Sequence, residues 1–170
     1  MSWSRSLAAL LLLLAGCGWQ PLYGHNSAGQ GGNAAPQLAQ VHIQPIADRV
    51  GQELYNMLRD RMNPQGVPAE PQYDLIVTLR QTATQELIQQ DQTASRVDIT
   101  LFADYKLFPR GQQTSIFAAQ ARSTTAYDLL NDPYSSVVSA DDAKRRGAQS
   151  LADDISNRLA VFLAQAPAGG

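Results

Sequence analysis

Few side chains in this sequence are suited to chemistry. Among 170 residues there are two histidines and one cysteine. His25 lies in a run of glycine, asparagine, serine and alanine, and His42 falls on the polar phase of a short predicted strand. Neither has partners at zinc-ligand spacing, and the lone cysteine cannot supply them. A Ser-His-Asp arrangement would have to use His42, and no Gly-x-Ser-x-Gly elbow presents a nucleophile. The acidic pairs Asp141-Asp142 and Asp153-Asp154 suit a first helical turn and a wet helix face. Gly29-Gln30-Gly31-Gly32 follows no strand that would make it a phosphate loop. The expectation is a protein that binds rather than catalyses, with no metal and no cofactor. Arg80, Arg96, Lys106 and Arg110 belong to or border the predicted central strands. Their cationic groups pair well with phosphate oxygens. They are the candidate contacts for an acidic lipid headgroup, with dispersed solubilising charge as the alternative for each.

Cys17 has a different chemistry. It closes the run Leu14-Ala15-Gly16-Cys17, after nine apolar residues from Leu7 to Ala15 and one positive charge at Arg5. Nine residues are too few to cross a bilayer, which takes about 20. A basic start, a short apolar middle and small residues at a cut site describe an export signal. Leu-Ala-Gly-Cys resembles the bacterial lipobox, in which the thiol is acylated and the cysteine becomes the new N-terminus. Residues 1–16 are thus expected to be a lipoprotein signal peptide. Cys17 is expected to carry diacylglycerol on sulfur and an acyl chain on its amino group. More than one chain, at about 0.8 kcal/mol per buried CH2, holds a protein stably to a membrane. Gly18 follows, not the aspartate that resembles an inner-membrane retention signal, so the outer membrane, on its periplasmic side, is the expected location.

The mature chain would have 154 residues, enough for one domain with its own core. Loss of Arg5 leaves 12 basic and 15 acidic side chains, a balance without the basic face that nucleic acid requires. Charged residues make up only 16%, and 18 glutamines supply much of the remaining polarity. With its one cysteine carrying lipid, the domain has no disulfide, although the envelope would permit one.

These residues must be placed by a small set of elements. Residues 17–36 read as a lipidated flexible tether, of which Gly24 to Pro36 would reach roughly 20 Å. A single domain is expected over residues 37–170. Leu38, Val41, Ile43 and Ile46 flank a short strand, broken by Pro45 at its edge or end. Asp48 is placed to cap a helix with Val50, Leu54, Met57, Leu58 and Met62 on one face. Tyr73 to Leu79 alternates in period two, with a possible extension toward Leu87. Val97 to Leu107 alternates more cleanly, and Ile116 to Thr125 supplies a third long strand. Tyr127 to Ser136 reads as a polar connection. Ser139 and Asp142 then resemble a capping box for a last helix, and the terminal Ala-Pro-Ala-Gly-Gly reads as a frayed tail. Gln85 to Ala94 is a second candidate contact, as a projecting loop. The order β-α-β-β-β-α predicts an α+β fold, a two-layer α/β sandwich. A four-stranded mixed or antiparallel sheet would have both helices on one face and its other face polar and free.

Cys17-Gly18-Trp19-Gln20-Pro21-Leu22-Tyr23-Gly24 resembles the mature start of the lipopolysaccharide-assembly lipoprotein family (LptE), in its alphaproteobacterial form. Tyr127, Tyr134-Ser135, Ala140-Asp141-Asp142-Ala143 and Leu151-Ala152-Asp153-Asp154-Ile155-x-x-Arg158-Leu159 are also similar. Asn131-Asp132-Pro133-Tyr134 departs from the pattern. The resemblance implies a plug inside the outer-membrane barrel LptD, supporting its assembly and helping deliver lipopolysaccharide to the outer leaflet. The partners would be LptD, lipopolysaccharide and the membrane through the lipid anchor, with no nucleic acid. Arg80, Arg96, Lys106 and Arg110 are then the candidate lipopolysaccharide or barrel contacts. The alternative is a lipoprotein serving as binding adaptor in another envelope complex or on peptidoglycan.

Overall fold

Period-two alternation produces three long strands in the computed structural model, which describes residues 34–87, 95–129 and 132–165. In chain order the elements are α1 (Ala34–Leu38), β1 (Val41–Ile43), α2 (Arg49–Met62), β2 (Tyr73–Leu87), β3 (Ser95–Pro109), β4 (Phe117–Leu129) and α3 (Pro133–Gln165). The sheet order is β1-β2-β3-β4, with β1 parallel to β2 and the other two pairs antiparallel. The fold is therefore the mixed four-stranded α+β sandwich expected from the pattern.

Leu75, Val77, Val97, Ile99, Leu101, Ala103, Tyr105, Leu107 and Ala121 turn one face of the sheet inward. Leu54, Leu58 and Met62 of α2 and Leu151, Ile155, Leu159 and Leu163 of α3 complete the same core. Both helices therefore lie on one face. Arg49 pairs with Asp141 at 3.4 Å and Arg61 with Asp153 at 2.7 Å. Since both members advance by twelve residues, α2 and α3 run in the same direction. A 33-residue helix is about 50 Å long, and so is a 15-residue strand, so α3 spans the full sheet.

Gly147 sets the helix–sheet distance. A Cβ there would stand 2.9 Å from Leu101 Cδ1 and 3.5 Å from Thr125 Oγ1. Thr125 closes the gap by donating to the Ala143 carbonyl at 2.9 Å.

Three local readings need correction. Asp48 stands at the α2 N-cap with φ 67°, but its carboxylate makes no capping hydrogen bond. Its backbone carbonyl instead accepts the Gln52 N–H at 2.9 Å. The last strand continues to Leu129, because Ala126 to Leu129 pair with Asp98 to Ser95. The last helix begins at Pro133, six residues before the Ser139 cap. Asp132 accepts the backbone N–H groups of Tyr134 at 3.3 Å and Ser135 at 3.1 Å, and Pro133 suits the first helical position, where no N–H is needed. Of the proposed loop Gln85 to Ala94, residues 85–87 are strand, while 88–94 lie outside the described residues, as do Cys17 and the C-terminal five. Residues 34–36, assigned to the tether, belong to α1.

Candidate functional site

The sheet face turned away from the helices is built by the even-numbered residues of β2, β3 and β4. Register sets them in rows. Ile76, Lys106 and Ala118 form one row; Thr78, Asp104 and Gln120 the next; then Arg80, Phe102 and Arg122; then Thr82, Thr100 and Thr124. His42 joins from β1, with Nδ1 2.9 Å from Asp74 Oδ1.

Arg80 and Arg122 stand on either side of the Phe102 ring, with guanidinium carbons 5.8 Å and 5.5 Å from its centroid. Such contacts are worth about 0.5–1 kcal/mol at exposed sites. Arg80 also donates to Asp104 at 2.8 Å, and the Gln120 amide donates to the same carboxylate at 2.6 Å. These bonds, the one from Arg80 foremost, hold the Asp104 carboxyl below the usual range. Among the described residues Arg122 has no carboxylate partner. Its donors remain available for a planar bidentate acceptor such as phosphate or carboxylate.

The four basic residues singled out in the sequence do not converge. Arg80, Arg96 and Lys106 share the uncovered face, and Arg110 follows the end of β3. Ten residues of β3 separate Arg96 from Lys106, a distance of about 33 Å. Arg96 pairs with Asp98 at 3.4 Å, and Arg110 approaches Asp74 at 4.0 Å. Lys106 is exposed and, among the described residues, makes no ion pair within 4 Å. Sequence reasoning missed Arg122 and Phe102. Their even phase was visible, but cross-strand register, which makes them neighbours, was not.

Behind the sheet, Tyr105 is fully buried and, among the described residues, its hydroxyl makes no hydrogen bond. Burial pushes its phenol up, opposed by the nearby Arg158 guanidinium. Phe117, Ala119, Arg158, Val161 and Phe162 line an open, mostly apolar groove of ≈ 410 Å³ between β4 and the end of α3. No group of three or more histidine, cysteine or acidic side chains among the described residues could hold a metal ion. Nor is any described helix long and apolar enough to cross a membrane.

A sheet with helices on one side and polar rows on the other belongs to the class of two-layer α/β sandwiches. The signature of the LptE family, described as lipopolysaccharide-assembly, matches residues 38–159, and the chain belongs to that family. A crystallised candidate lipoprotein from Caulobacter crescentus CB15 shares the fold with a TM-score of 0.66 at 19% identity, over 81% of this chain and 99% of that one. A minor lipoprotein from Acinetobacter baumannii is similar, with a TM-score of 0.52 at 14% identity over 73% and 92%. No curated protein matches the sequence.

Proposed function

We propose that this chain is an outer-membrane lipoprotein, anchored through lipid on Cys17 after removal of residues 1–16. It plugs the LptD barrel, supports that barrel's assembly and helps pass lipopolysaccharide to the outer leaflet. Membership of the lipopolysaccharide-assembly family supports the pathway. The observation that carries the reading is the uncovered sheet face, where Arg122, beside Phe102 and Arg80, has no acidic partner among the described residues. A large barrel can hold a plugged, polar lumen. A face of threonines and mixed charges, of low net charge, can hydrogen-bond to such a wall along its length. The role is binding rather than catalysis, and it requires no cofactor beyond the covalent lipid.

The test is to tag the C-terminus, extract the outer membrane in mild detergent and identify what co-purifies. A stoichiometric barrel of roughly 80–100 kDa is the expected companion. Isolation alone, or with cell-wall or inner-membrane proteins, would refute the plug. In the same preparation, Arg122→Glu with Lys106→Glu should weaken lipopolysaccharide binding, and unchanged binding would remove this face from the lipid path.

A further inference from the structure

Among the described residues, only one that is not glycine has a positive φ. Asp48, between β1 and α2, has φ 67° and ψ 165°. That region of backbone space is essentially reserved for glycine, and a residue with a side chain stores strain there. The abnormality lies in φ alone. A ψ of 165° suits the extended region that an N-cap residue ordinarily occupies, where φ is negative. The Asp48 carbonyl accepts the Gln52 N–H at 2.9 Å and so belongs to α2. Turning φ therefore leaves that bond in place and swings only the residues before Asp48. At negative φ the Asp48 carboxylate would also come within reach of the Val50 or Gly51 N–H, as N-cap side chains do. In this structure it makes no such bond.

The segment before Asp48 holds it in the strained geometry. Val41, Ile43 and Ile46 are buried, and α1 lies against α3. β1 pairs only with Tyr73 to Leu75. The Gln44 N–H donates to the Leu75 carbonyl at 2.9 Å, and the Gln72 N–H to the Gln40 carbonyl at 2.9 Å. The Asn63 amide donates to the Ala39 carbonyl at 3.1 Å. Gly51 makes room for the turn, because a Cβ there would stand 2.8 Å from Ile46 Cγ2. The rest of the domain has its own ties. Arg49–Asp141 and Arg61–Asp153 join α2 to α3, and β2, β3 and β4 pair along their length without β1.

We propose that residues 34–47 form a strap that opens as a unit, with Asp48 as its strained hinge. Closed, β1 completes the sheet and Asp48 carries the strain. Open, Asp48 takes ordinary N-cap backbone geometry and caps α2, while β2, β3, β4, α2 and α3 stay assembled. Relief of the strain and formation of the cap both favour opening, against the buried side chains of β1. Fully extended, residues 34–47 span about 45 Å. Opening thus lengthens the arm between α2 and whatever holds the earlier part of the chain. The hinge depends on neither the barrel nor the lipid anchor. With the proposed anchor, it would set how far the domain stands from the membrane.

The test is native-state hydrogen exchange on the full chain. The Gln44 and Gln72 amides should exchange at least about 100-fold faster than those of Leu101 and Ala103, with a weaker urea dependence. Asp48→Gly accepts φ 67° without strain. It should slow the Gln44 and Gln72 amides by about fivefold or more, despite the added freedom of glycine in the open state. His42→Cys with Asp74→Cys, in a Cys17→Ala background, places two thiols on register partners. Their disulfide should slow the same amides to the rate of Leu101, and reduction should reverse this. Exchange of Gln44 and Gln72 with the rate and urea dependence of Leu101 would overturn the proposal, since the strap would then open only with the whole domain. So would exchange that the disulfide does not slow, or exchange that Asp48→Gly leaves unchanged or accelerates.

Discussion

Gly147→Ala sets two opposed effects of similar size against each other. In an exposed helix interior the change gains about 1 kcal/mol, because alanine loses less backbone entropy on folding than glycine. Here the new methyl would stand 2.9 Å from Leu101 Cδ1, and Leu101 is fully buried in a packed core. Ordinary contact needs about half an ångström more, so Leu101 must move within a filled space. Overpacking of this kind costs about 1–3 kcal/mol. The expected net effect is a loss of about 1 kcal/mol, read as a lower urea midpoint at unchanged slope. Leu101→Ala removes the obstructing methyl groups, at its own cost of about 2–5 kcal/mol. In that background Gly147→Ala should become stabilising by about 1 kcal/mol, a coupling of about 2 kcal/mol. If Gly147→Ala stabilised the otherwise unchanged protein by the full helix-propensity gain, Gly147 would not be setting the helix–sheet distance.

Three further outcomes follow from the same physical reasoning. Tyr105→Phe removes a buried hydroxyl without a hydrogen bond, so urea unfolding should show stability unchanged or raised by about 1 kcal/mol; a clear loss would mean that the hydroxyl has a partner. Asp132→Ala removes the acceptor for the first turn of α3 and should cost about 1 kcal/mol in the same assay. The Asp104 carboxyl is held low chiefly by Arg80, and that of Asp132 chiefly by the Ser135 hydroxyl. Both therefore bind fewer protons folded than unfolded. Their stabilisation is complete above about pH 4 and is lost as pH falls through the lower folded values. Asp104→Asn and Asp132→Asn should accordingly flatten the acid limb of a urea-midpoint profile and leave its neutral region parallel to that of the parent.

The strands were legible wherever alternation was strict. Val97 to Leu107 shows one apolar face by inspection, and that face is buried. The start of α3 was hidden because Pro133 reads as a helix stop unless Asp132 is seen to cap the turn that follows. Asp48 misled in the opposite sense: its residue type suits a cap, but its backbone takes φ 67° and the carboxylate does not bond. The polar face was legible as a phase and illegible as a site. Arg80, Phe102 and Arg122 come from three strands, and only register makes them a row. Arg96 and Arg110 were placeable near strand ends, but linear sequence does not show which acid answers each charge.

The three-residue β1 also bears on the order of folding. β2, β3 and β4 are consecutive and join through antiparallel neighbours, so they can assemble through short closures. β1 instead reaches its parallel partner across the whole of α2, from Ile43 to Tyr73, and gains only three paired positions. Loop closure precedes a small reward, which places this docking late. Weakening β1, for example by Val41→Ala, should then accelerate unfolding and leave the refolding rate nearly unchanged. The edge of the sheet that β1 forms would be the last part to close and the first to open.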